Sequence, residues 1–110
     1  MRRLLVLSLL LMGLVRPALA YTPLGCVQLA SLGSATLLSS AGAIPNGTTF
    51  VFLTVEGQAV RMRDDGVAPT SSIGLLLPIG GPWPYSSLTM TNLQFIQTAS
   101  SSVIDACYYR

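Results

Sequence analysis

Short runs of β-prone residues, separated by clusters of glycine, proline, asparagine and serine, follow one another from residue 26 onward. This spacing is typical of an all-β domain. In the clearest run, residues 48–56, alternation places two phenylalanines on one face of a strand and three aliphatic side chains on the other. Because both faces are apolar, we expect this strand to lie in the centre of a sheet.

The same pattern predicts further strands at residues 26–32, 35–40, 58–63, 73–79, 88–98 and 102–109. The three leucines at 75–77 are too apolar for an exposed position, so we expect that strand to be buried. In residues 80–84 a tryptophan lies between two prolines, which predicts a break without regular pairing. The chain is therefore predicted to be all-β, a single antiparallel β-sandwich or jelly-roll-like domain of about seven to eight strands.

Residues 1–20 have the pattern of a secretory signal. A positive start is followed by an apolar run at 4–15, and Ala18-Leu19-Ala20 fits the small-x-small cleavage pattern. The run of twelve residues is shorter than the roughly 20 that a bilayer span needs, so no permanent membrane span is expected. We expect a leader at 1–20, cleaved after Ala20, and a β-sandwich domain at 21–110; the alternative is a retained leader serving as an apolar helix in an assembly.

Residues 21–110 contain few charged side chains, namely three arginines and four carboxylates. Their formal charge is −1, whereas that of the whole sequence is +2. There is no lysine to build the phosphate-neutralising surface that nucleic-acid binding needs, so no nucleic-acid partner is expected. A neutral protein surface rich in hydroxyl groups favours a protein that belongs to an assembly or is displayed on a surface. A small secreted domain kept soluble by serine and threonine is an equal alternative.

The two cysteines, Cys26 and Cys107, lie near the two ends of residues 21–110. In an oxidising compartment we expect them to pair, which requires the first and last strands to be neighbours. A bridge of this span would stabilise the domain by roughly 4 kcal/mol in the chain-entropy model. If the leader is not an export signal, two buried free thiols are the alternative. Two cysteines and no histidine argue against a zinc or copper site.

Catalytic residues are not expected, because a chain without histidine or lysine lacks the partners of most hydrolytic nucleophiles. Asp64 and Asp65 are adjacent, and their side chains diverge on an extended backbone, which argues against a two-carboxylate glycosidase. They also lack the spacing of a calcium loop, and no cofactor is implied. We expect instead a turn in which one aspartate accepts backbone N–H groups and Gly66 takes a positive φ angle.

Four of the seven charges of residues 21–110 lie in this one stretch. We interpret Arg61, Arg63, Asp64, Asp65 and Gly66 as a framework element or a subunit-contact turn.

Trp83 and Tyr85 are candidate ligand or interface aromatics. Flat rings of this kind stack on sugars, but aromatic residues are equally normal in β cores and at protein interfaces, and packing is the favoured interpretation.

The phrase V-R-M-R-D-D-G-V-A-P-T at residues 60–70 carries a resemblance to a known group of proteins. Together with several residues further along the chain, this phrase resembles the sequences of small bacteriophage virion proteins of heads, necks or tails. The further residues are Gly74, Gly80 or Gly81, Tyr85, Leu93, Phe95-Ile96 and Tyr108-Tyr109. The resemblance implies a non-enzymatic β-sandwich subunit, repeated in a virion with copies of itself or other virion proteins and decorating a capsid. The alternative is an exported bacterial surface or periplasmic module that binds a glycan or a protein.

Overall fold

The computed structural model describes residues 21–110, and the predicted leader lies outside the described residues. Two four-stranded antiparallel sheets contain eight strands: β1 Pro23–Leu29, β2 Thr36–Leu37, β3 Phe50–Glu56, β4 Val60–Arg63, β5 Leu75–Leu77, β6 Gly80–Tyr85, β7 Gln94–Gln97 and β8 Val103–Tyr109. Two 3₁₀ segments, Leu38–Ala41 and Met90–Asn92, interrupt them. The prediction of an all-β sandwich is confirmed.

The first sheet has the strand order β1-β8-β3-β6, and the second has the order β2-β7-β4-β5. Buried side chains from both sheets form one core between them. Strand β3 lies between β8 and β6, as its two apolar faces predicted. Val51, Leu53 and Val55 enter the core, while Phe50 and Phe52 lie on the outer face of the first sheet.

Two predicted strands are partly replaced by 3₁₀ segments. Of residues 35–40 only Thr36–Leu37 pairs with a neighbour, and of residues 88–98 only Gln94–Gln97 is a strand. In each case a 3₁₀ turn takes over part of the segment and carries a buried side chain, Leu38 or Met90. The apolar periodicity of these segments thus reflects buried side chains, although most of the segment does not form a paired β-strand.

The proline-rich segment at 80–84 does pair, so the predicted break is wrong. Strand β6 is hydrogen-bonded to β3 along one edge only, and an edge strand tolerates Pro82 and Pro84 because their missing N–H groups need no partner on the open side. Gly81 allows the backbone of β6 to approach β3 closely, because a Cβ at this position would lie 2.6 Å from the Leu53 carbonyl oxygen. The Gly81–Pro82 peptide bond is cis.

The predicted burial of the leucines at 75–77 is also wrong. Leu75 is 65% exposed and Leu76 is 51% exposed, while Leu77 packs against the core. The reason is position: β5 has three residues and forms the edge of the second sheet, paired with β4 alone. An apolar edge strand with free backbone groups on one side is a ready surface for another chain.

Candidate functional site

A disulfide joins Cys26 and Cys107, as predicted. The two residues are direct partners in the register of β1 and β8, with Cα atoms 4.0 Å apart. First and last strands are therefore neighbours, and the bond spans 81 residues of sequence. It lies on the outer face of the first sheet, where Cys26 is exposed.

Beside the disulfide, the outer face of the first sheet carries an aromatic cluster. The rings of Phe50 and Tyr109 stack at 5.2 Å between centroids, and Phe52 meets both of them edge-on. Tyr21 packs edge-on against Phe50 at 4.7 Å. The alternation in β3 predicted a shared face for the two phenylalanines, whereas the register that adds Tyr109 has no signal in the sequence. We call this surface, with Asp105 on the adjacent row of β8, the aromatic face.

The charged turn after β4 is held by its own side chains. Arg63 donates to Asp65 through Nε at 3.0 Å and through Nη2 at 2.5 Å. The Val67 N–H also donates to Asp65, at 3.2 Å, and Gly66 has a φ of 81°. The Arg63 hydrogen bond, aided by Val67, lowers the pKa of Asp65 from 3.8 to about 2. This is the predicted turn, in which one aspartate accepts a backbone N–H and the glycine takes a positive φ angle.

Asp64 connects the two sheets. It accepts a hydrogen bond of 2.5 Å from the hydroxyl of Tyr85, which lies at the end of β6 in the first sheet. Burial, and then the carboxylate of Asp64, raise the pKa of Tyr85. Because Asp64 and Asp65 have different partners, they form no joint carboxylate site.

Arg61 lies on the outer face of the second sheet. Its register partners are Leu76 on β5 and Ile96 on β7, so a guanidinium lies in an apolar row that crosses three strands. Nη1 donates to the Gly74 carbonyl oxygen at 3.1 Å. The buried Nε has no hydrogen-bond partner among residues 21–110. We call the row of Leu76, Arg61 and Ile96 the arginine face.

The candidate aromatics Trp83 and Tyr85 lie opposite Leu53 and Val51, two core residues of β3. Tyr85 packs against the core, and Trp83 is 37% exposed, with its Nε1 donating to the Pro78 carbonyl oxygen at 3.3 Å. Packing therefore describes Tyr85, whereas Trp83 lies at the open edge of the first sheet and stays a candidate for contact with a partner.

A groove of about 280 Å³ adjoins the charged turn and the edge of β5. Its lining is mostly apolar on one side and carboxylate and guanidinium on the other; the residues are Met62, Arg63, Asp64, Asp65, Ile73, Gly74 and Leu75. Because the carboxylates already accept hydrogen bonds from the protein, the groove offers apolar contact and backbone groups more than acid–base chemistry.

Comparison with protein-family models, curated proteins and solved structures finds no match to this chain. Within residues 21–110, no three cysteine or carboxylate side chains lie close enough to hold a metal ion. Nor does that part of the chain contain a helix with the length and apolarity of a membrane span.

Proposed function

We propose that this protein is a non-enzymatic structural subunit of a phage-like virion, a head, neck, tail or capsid-decoration component that works through protein–protein contacts. The observation that carries the proposal is the exposed apolar edge at β5. Ile73, Leu75 and Leu76 are each more than half exposed beside an open strand edge, a combination that favours a protein partner.

The charged turn supports a structural role because its groups serve the fold. Asp65 is engaged by Arg63 and Val67, Asp64 by Tyr85, and Arg61 by the Gly74 carbonyl oxygen. The phrase that resembles phage virion proteins thus coincides with a framework that fixes the end of β4 against both β5 and the first sheet. A shared framework of this kind fits a subunit repeated in one shell.

Particle incorporation provides the test. The chain is expressed with a tag in cells that produce the phage-like particle, and the purified particles are examined by mass spectrometry and immunogold labelling. We expect the subunit in many copies per particle, and a Leu75→Ser variant should be depleted at least roughly tenfold if the edge of β5 forms the contact.

Leu88→Ser is the matched control, because Leu88 is a fully exposed leucine on a different loop. It should enter particles at the wild-type level. Particles that lack the wild-type chain altogether would contradict the proposal, and equal depletion of both variants would contradict the role of β5.

A second candidate function is an exported surface or periplasmic module that binds a glycan or a protein. The Cys26–Cys107 disulfide favours it, because disulfides persist in oxidising compartments whereas virions assemble in a reducing cytoplasm. Cleavage after Ala20 would keep every backbone pair described within residues 21–110, the first of which joins Thr22 to Arg110.

Intact mass of the native protein separates the two candidates. A chain that starts at Tyr21 and is two hydrogens lighter than the dithiol form supports the exported module, while an intact leader with two free thiols supports assembly in the cytoplasm. For the module, binding on a glycan array that survives Trp83→Ala would exclude Trp83 from the binding site.

A further inference from the structure

The two outer faces of the sandwich carry opposite charge. On the arginine face, Arg61 has no carboxylate partner, because Asp64 and Asp65 are engaged elsewhere. On the aromatic face, Asp105 accepts a hydrogen bond from Gln28 Nε2 at 2.9 Å and has no cationic partner. Among residues 21–110 the one ion pair is that of Arg63 with Asp65. The aromatic face also carries the exposed Glu56, in the row next to Asp105, so it presents two carboxylates where the arginine face presents a guanidinium.

Arg61 is set in apolar surroundings, whereas Asp105 lies in a polar row between Gln28 and Thr54, next to an apolar row. Arg61 lies between Leu76 and Ile96, and its Nε is buried without a hydrogen-bond acceptor. Asp105 lies one row from the Cys26–Cys107 disulfide and Phe52. The buried Nε is out of reach of a partner, but a guanidinium beside apolar side chains is stabilised by a carboxylate that approaches its outer side, and the apolar surround strengthens such a pair.

We propose, on the basis of the structural-subunit function, that copies of this chain stack head to tail, with the arginine face of one copy on the aromatic face of the next. Arg61 then pairs with Asp105 of the partner subunit, and Leu76 and Ile96 cover the aromatic cluster. Charge selects this arrangement, since like faces would bring Arg61 against Arg61 or Asp105 against Asp105. A heterologous contact repeats until it closes into a ring or extends as a filament, as a particle component requires.

The test uses two charge reversals that each block one face. Arg61→Glu leaves the aromatic face intact, and Asp105→Lys leaves the arginine face intact. In sedimentation velocity of the purified oxidised chain, the wild type should form a concentration-dependent series of oligomers. Each variant alone should sediment as a monomer. An equimolar mixture should regain the oligomer series, because Arg61 of one variant meets Asp105 of the other and the introduced glutamate meets the introduced lysine.

Controls keep the test independent of folding. Arg110→Glu makes the same charge change at the end of the chain, where the side chain lies near Gly47, and should leave the oligomer series unchanged. The milder variants Arg61→Gln and Asp105→Asn keep polar side chains and should weaken association roughly tenfold. Circular dichroism and the intact mass of the disulfide form verify the fold of each variant.

A monomeric wild type at millimolar concentration, or a mixture of the two reversals that stays monomeric while both variants are folded, would overturn the stack. Incorporation into particles is measured separately. If the chain is present in particles but its copies do not stack, the proposed subunit function stands and the Arg61–Asp105 contact is excluded.

Discussion

Tyr85 and Asp64 lie 21 positions apart in the sequence and in different sheets, yet the Tyr85 hydroxyl donates to the Asp64 carboxylate at 2.5 Å. The hydrogen bond joins the end of β6, an edge of the first sheet, to the end of β4 in the second. It closes one side of the sandwich and gives the Asp64-Asp65 dipeptide a structural purpose.

Removal of this hydrogen bond should destabilise the domain. We expect Tyr85→Phe to lower the free energy of unfolding by roughly 1–2 kcal/mol, because the ring keeps its packing and only the hydrogen bond to a carboxylate is lost. Urea denaturation measures the change. In a double-mutant cycle with Asp64→Ala, which removes the acceptor, the two losses should be strongly non-additive, and simple additivity would show that the side chains are not coupled.

The disulfide should contribute a large share of the stability. Replacement of both Cys26 and Cys107 by serine should lower the free energy of unfolding by roughly 4 kcal/mol, because the bond restricts a long loop in the unfolded chain. Denaturant titration of the double variant, beside the wild type with and without a reducing agent, tests this. A loss below about 1 kcal/mol would mean that the unfolded chain already keeps its ends close together, so that the bond restricts it little.

Gly57 and Gly66 provide a matched pair for steric effects in turns. Their φ angles are 83° and 81°, so alanine is strained equally at both. A Cβ at position 57 would lie 2.0 Å from the Ser101 carbonyl oxygen, whereas one at position 66 meets nothing within 4 Å. Gly66→Ala should cost about 1–2 kcal/mol and Gly57→Ala at least about 2 kcal/mol more. Thermal unfolding compares them, and equal losses would contradict the close contact at Gly57.

Asp65 should give the charged turn a pH dependence. Its folded pKa of about 2 is lower than the ordinary 3.8, so its stabilising contribution is fully present above about pH 4 and is lost as the pH falls through 2. Carboxyl chemical shifts measured by NMR should show this low titration midpoint. In an Arg63→Gln variant the midpoint should move up toward 3.8, since the guanidinium hydrogen bond is the main cause of the shift. A midpoint that does not move would exclude Arg63 as that cause.

The sequence predicted the fold class and the central strand well, because alternation in residues 48–56 reports burial on both faces of β3 directly. It failed at the two sheet edges, β5 and β6. Apolarity suggested burial for the leucines of β5, and prolines suggested a break at β6. Both rules hold inside a sheet and are relaxed at an edge, and edge position depends on strand order, which local pattern does not encode.

The contacts of the candidate site were also predictable only in part. The turn from Arg63 to Gly66 was predictable because its contacts are local, within a few residues. The contact of Asp64 with Tyr85, the addition of Tyr109 to the phenylalanines and the apolar row around Arg61 all depend on register between distant strands. No periodicity of the sequence contains that information.

The location of the disulfide has a mechanical consequence. Thr22 and Arg110 exchange backbone hydrogen bonds of 3.0 and 2.9 Å, so the chain leaves the sandwich at adjacent points. Tension applied between residues 21 and 110 would first break the few backbone pairs that lie outside Cys26–Cys107. The disulfide bond would then carry the force. The chain would lengthen by roughly 30 Å, the span of the short segments outside the bond. Of the buried core residues, Tyr108 lies in these segments, and those between Cys26 and Cys107 would bear no load.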